Sequence, residues 1–107
     1  MNKVIGAICV VATLASATAA SARMTDREYM QAARCRALAA STTLGAVDTT
    51  AIDQRLREES HGRDPYIADR ADSIRRTAER DASRANDNLK ERLLAERNTT
   101  CRSYLEA

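Results

Sequence analysis

Arg84-Ala85-Asn86-Asp87-Asn88-Leu89-Lys90-Glu91-Arg92 is the stretch on which the fold turns. Strong helix formers flank a cluster of three poor ones, and no glycine or proline follows Pro65 to force a break. Upstream, Asp64-Pro65 opens a helix, with Asp64 as N-cap and Pro65 at the first helical position. From there Ile67, Ala71, Ile74, Ala78, Ala82, Ala85, Leu89 and Leu93 recur at gaps of 3 or 4. The mean spacing of about 3.7 is that of a nearly straight helix, and it runs through Asn86 without losing register. The opposite face carries paired charges, Asp72 with Arg76 and Arg75 with Glu79, as a solvated helix surface does. Asn98-Thr99-Thr100 is a second weak point before Cys101, Tyr104 and Leu105.

Two shorter helices precede this one. Thr25-Asp26-Arg27-Glu28 is a capping box, with Met24 and Tyr29 at the staple positions around it. Met30, Ala33, Ala37, Ala40 and Leu44 then form one apolar stripe, with Cys35 and Leu38 on a second face. A helix apolar on two faces is covered on both, so the first helix is expected to be central. Its end is expected near Thr43 and Leu44, with Gly45 as the left-handed residue after it. The second helix starts at Asp48 or Thr50 and turns Ile52 and Leu56 inward and Arg55, Arg57, Glu58 and Glu59 outward. It stops at His61-Gly62.

The cysteines choose between layouts. Cys9 lies in the apolar N-terminal run, which leaves Cys35 and Cys101 as the one possible intramolecular pair of the domain. Alanine fills many of the apolar positions, and there is no Phe or Trp. Hydrophobic burial at ~25 cal/mol per Å² is therefore thin. Closing a loop of roughly 65 residues contributes about 4 kcal/mol, comparable with the net stability of a small domain. If helices folded back at each loop and the last ran unbroken from Pro65, Cys101 would lie roughly 54 Å from its start. Bridged Cα atoms must approach within about 7 Å, so that layout fails. Two survive. The expected fold is all-α, a small bundle or extended hairpin of three helices with the last one long and one disulfide. The alternative breaks at Asn86–Asn88 and makes an up-down four-helix bundle.

The 107 residues hold one domain. Lys3, the apolar run Val4 to Leu14 and the small residues Ala15 to Ala22 read as a signal peptide. About 11 apolar residues are too few to span a bilayer, which needs roughly 20. Ala20-Ser21-Ala22 sets cleavage before Arg23, with Ala17-Thr18-Ala19 as the alternative register. The expected organisation is a leader over 1–22 and a helical domain over 23–107, in the bacterial periplasm or secreted, an oxidising compartment. Loss of Lys3 takes one unit off the formal net charge of +2. Such balance suits neither nucleic acid nor an acidic membrane, and no membrane span remains after cleavage. The excess of arginine over lysine is matched by Asp and Glu and reads as codon usage rather than phosphate recognition.

Chemistry-bearing motifs are sparse. His61, the only histidine, could pair with Asp64 as base and orienter, but no nucleophile or pocket residue accompanies them. Its place at a helix end suits a charge–dipole role instead. One His and two oxidised Cys leave only carboxylates for a metal, without calcium-loop spacing, so no cofactor or metal is expected. Glu58 and Glu59 are adjacent and point apart. Asn98-Thr99-Thr100 matches a glycosylation acceptor, an incidental match behind a leader of bacterial type. Tyr29, Tyr66 and Tyr104 close helix ends more readily than they form a ligand patch.

The sequence thus leads to a non-enzymatic exported protein with an interaction or structural role, its partner another protein or a second copy. One alternative is a periplasmic stress chaperone or inhibitor that binds other proteins. In size and single-disulfide helical design the chain resembles acid-protective periplasmic chaperones, a resemblance that carries over no residue. A small-ligand carrier or enzyme is the remaining alternative.

Overall fold

A computed structural model describes residues 23–106. The expected leader over 1–22, with Lys3 and Cys9, lies outside the described residues, as does Ala107. The described residues form five helices joined by turns and loops: α1 (Asp26–Ala40), α2 (Thr50–Ser60), α3 (Pro65–Ser83), α4 (Asp87–Asn98) and α5 (Arg102–Leu105). None of these helices is long and apolar enough to cross a membrane.

α1 starts as its capping chemistry requires. Thr25 Oγ1 accepts from Glu28 N and Glu28 Oε1 accepts from Thr25 N, each at 3.1 Å. Met24 and Tyr29 are buried around that cap. The helix then buries Ala32, Ala33, Cys35, Ala37, Leu38 and Ala39, residues that occupy most of its circumference. It is the central element, touched by α2, α3, α4 and α5. It ends at Ala40, short of the expected Leu44, because Ser41 takes an extended conformation and its Oγ accepts from Leu44 N at 3.3 Å. A side-chain turn thus replaces the next helical turn. Gly45 does adopt φ +80, but in the loop beyond rather than as the helix's own terminator.

α2 runs back along α1. Asp48 Oδ1 accepts from Thr50 N at 2.9 Å, so the capping acceptor comes from one residue before the N-cap, Thr49. Ile52 is its one fully buried side chain. Arg55 and Glu59, expected in solvent, are half-buried. Gly62, at φ +72, turns the chain into α3, where Asp64 Oδ1 accepts from Tyr66 N at 2.8 Å and Pro65 takes the first position. α3 packs most closely on α1, through Ala71 near Tyr29 and Ala78 and Ala82 near Ala37, so the two run the same way. Alanine on both sides permits that approach. Every stripe residue from Ile67 to Leu93 is buried or half-buried, and the expected pairs form at 3.2 Å (Arg76–Asp72) and 2.7 Å (Arg75–Glu79).

The long last helix does not form. α3 stops at Ser83, and Asn86, extended at ψ 175, caps α4 by accepting from Leu89 N at 2.9 Å. The capping bond outweighs the helix propensity on either side. Beyond the break the chain descends along α1: Glu96 meets Arg34, Cys101 meets Cys35, and Tyr104 OH donates to Gln31 Oε1.

Candidate functional site

Cys35 and Cys101 are bonded, with Cα atoms 5.3 Å apart and both side chains fully buried. Leu38, Ile52, Ala78, Ala82 and Leu93 share the cluster around them. The bond fixes the C-terminal turn to the middle of α1 from inside the core, where it is a structural element.

Polar ties hold the rest of α1's surroundings. Arg34 grips Glu96 through two bonds of 2.6 and 3.0 Å. Arg97, itself buried, donates to the Gly45 carbonyl at 2.7 Å and anchors the loop after α1. Arg36 Nε donates to Asp53 Oδ1 at 2.9 Å, joining α1 to α2. Burial alone would push the Asp53 carboxyl up. Hydrogen bonds from Arg36 and Thr49, with the charges of Arg36 and Arg57, overcome that and hold it below the usual aspartate range.

The densest tie is Arg63, whose side chain is only 4% exposed. It donates to Glu59 O, Glu59 Oε2, Asp26 Oδ1 and Met24 O at 2.9, 2.9, 2.8 and 2.5 Å. Its guanidinium also lies 4.9 Å above the Tyr29 ring. Glu59 Oε2 accepts in addition from Met24 N at 3.0 Å, and Arg23 donates to the His61 carbonyl. Arg23, Met24 and Asp26 are therefore bound to the end of α2 and the turn after it.

The residues weighed for catalysis are not assembled. Asp64 is occupied by capping α3, His61 is exposed, and no hydrogen bond joins the two. Glu58 takes a weak bond from Gln54 while Glu59 faces Arg63, so the adjacent carboxylates do diverge. Among the described residues no three His, Cys, Asp or Glu side chains converge as a metal site. Tyr29 and Tyr104 pack on one apolar cluster, whereas Tyr66 stands apart and exposed. Asn98 ends α4, and Thr99 and Thr100 begin the turn into α5, all three exposed.

What remains is a surface. α2 and α3 both rest on α1 but scarcely touch each other, which leaves a trough between them. Its wider part, about 450 Å³, is lined by Arg36, Asp53, Leu56, Arg57, Ser60 and Arg75. A narrower part of about 200 Å³ continues past Leu56, Asp72 and Arg75 over Tyr29, Ala33, Ala68 and Ala71. Both parts are mostly apolar, with Arg36, Asp53 and Arg57 on the wide part and the paired Asp72 and Arg75 on the narrow one. Sequence reading placed Arg57 in solvent but could not see that Arg36 and Arg75, from other helices, would join it.

Comparison with protein-family models, with curated proteins and with solved structures gives no match to this chain.

Proposed function

We propose that this is an exported, non-enzymatic interaction module, a helical bundle of up-down-up-down course that binds another protein through the trough over α1. The observation that carries the reading is a concave, apolar-floored surface left open between α2 and α3 on a scaffold crosslinked from within. Shallow grooves between helices are suited to a helix or strand of a partner rather than to enclosing a small molecule. A photo-crosslinking residue at Ser60, on the trough's edge, tests this in cells that export the protein. A discrete adduct that disappears when Ala68→Trp fills the floor supports the reading, and absence of any adduct counts against it.

A second reading, an acid-responsive chaperone, is favoured by how α2 is held. That helix buries one side chain fully and depends on the carboxylates of Asp53 and Glu59 for its ties to α1 and the N-terminal segment. Protonating Asp53 would cut its tie to Arg36 and loosen the end of α2 that carries Ile52. An apolar dye whose fluorescence stays flat from neutral to acid pH would exclude this form.

A further inference from the structure

We propose that the trough's occupant is an acidic amphipathic helix of a partner protein, bound with its carboxylates at the Arg36–Arg57 end. This rests on the interaction reading above and adds the chemistry of the partner and its orientation. At the wide end Arg36 spends only its Nε on Asp53, so its terminal nitrogens remain available as donors. Arg57, on the next turn of α2, is exposed and makes no close ion pair among the described residues, although its charge also acts on Asp53. Arg75, by contrast, is committed through both terminal nitrogens to Glu79 and Asp72. Donor capacity is thus concentrated at one end. The other end offers the half-buried Ala68 beside the buried Ala33, Ala71 and Tyr29, and the charges on it, Asp72 and Arg75, are already paired with each other.

A carboxylate entering the wide end can take donors from Arg36 and Arg57 without dismantling the α1–α2 tie. A cation there would compete with Arg36 for Asp53 and meet Arg57 directly. The small floor residues leave room for one row of Leu-sized side chains, as an amphipathic helix presents at every third or fourth position. Like charges opposed across an interface select strongly against the wrong partner, so the sign of the partner is the sharpest claim.

The test uses the oxidised domain and two synthetic helical peptides with the same leucine and alanine face, one flanked by glutamates and one by lysines. Fluorescence anisotropy at low salt should show the acidic peptide binding about tenfold or more tightly than the basic one. Arg57→Glu should weaken the acidic peptide by about tenfold, while Arg92→Glu, an exposed arginine on α4, leaves it unchanged. Added salt should erode the difference. Equal binding of the two peptides, or equal effects of the two substitutions, overturns the proposal. So does sedimentation showing a dimer that Arg57→Glu dissolves, since the occupant is then a second copy. If neither peptide binds but the Ser60 crosslink forms, the acidic assignment falls and the interaction reading stands. If neither is seen, both fall.

Discussion

Removing the disulfide by Cys35→Ala with Cys101→Ala should leave the domain at or beyond the edge of folding. The two residues lie 66 positions apart, and loop-closure entropy for that span is worth about 4 kcal/mol. Both sulfurs are fully buried, so deleting them also leaves small gaps beside Leu38, Ile52 and Leu93. Each gap costs about 1 kcal/mol by analogy with a deleted methylene. The sum, about 6 kcal/mol, matches the lower end of whole-domain stabilities. Reduction of the wild-type chain separates the two contributions, because it releases the loop but keeps the sulfur volume. Urea unfolding followed by far-ultraviolet circular dichroism should show a midpoint several molar lower for the reduced protein, with m near 1 kcal/mol/M. The alanine pair should be weaker still, or show no transition. Oxidised and reduced proteins with the same midpoint would refute the reasoning, since the helices would then be holding themselves.

Three further outcomes follow from the polar ties. Arg63→Met should cost about 3 kcal/mol by stranding the carboxylate of Glu59, which is 13% exposed; Arg63→Lys should recover little, because an ammonium cannot span the same acceptors. A urea midpoint unmoved by Arg63→Lys would show that the fork geometry is irrelevant. Asp53 has a depressed pKa in the folded state, so its contribution is fully present above the unfolded value of about 4 and is lost as pH falls through the lower folded value. Asp53→Asn should remove that part of the acid dependence and cost up to about 1 kcal/mol at neutral pH, since both partners are about a third exposed; an unchanged acid midpoint would contradict the assignment. Finally, Met24 is 3% exposed, with its N–H given to Glu59 and its carbonyl taken by Arg63. On the cleavage after Ala22 proposed from the sequence, a protease that needs an extended chain there should cut the unfolded full-length chain readily and the folded, oxidised one slowly, and equal rates in a purified assay would show that this docking does not shield the site.

Local chemistry was readable from the residues. The capping box at Thr25, the proline start of α3, the turn at Gly62 and the apolar stripe from Ile67 to Leu93 all depend on neighbours within a few positions. The two boundaries that differ, the end of α1 and the gap after Ser83, share one cause. Ser41 and Asn86 each offer the backbone a side-chain acceptor that competes with one more helical turn, and propensity sums do not weigh that competition. The ties around α1 were out of reach for a different reason. Arg34 finds Glu96 at a separation of 62 and Arg63 finds Asp26 at 37, and no periodicity encodes which distant pairs will meet. Only Glu59 and Arg63, four apart, left a local trace, and it straddled a helix end where such pairs are not sought.

The same economy of side chains explains both the fold and its open face. Alanine lets α3 lie close on α1 without building a wide core, so little apolar surface is left over to draw α2 toward α3. α2 is instead held by Ile52, by Leu56 and by ionic ties near its two ends, at Asp53 and Glu59. Those ties set its distance from α1 but exert nothing sideways, and a gap persists along its length. A larger residue at the half-buried Ala68 would fill that gap from within and close the trough, whereas Ala33 and Ala71, 6% and 3% exposed, lie where α1 and α3 meet and have no room to grow. A domain selected only for stability would gain by that replacement at Ala68, because filling apolar space with one or two methylenes contributes about 1 kcal/mol each. An alanine at position 68, where a larger side chain could sit, is therefore an argument that the space itself is used.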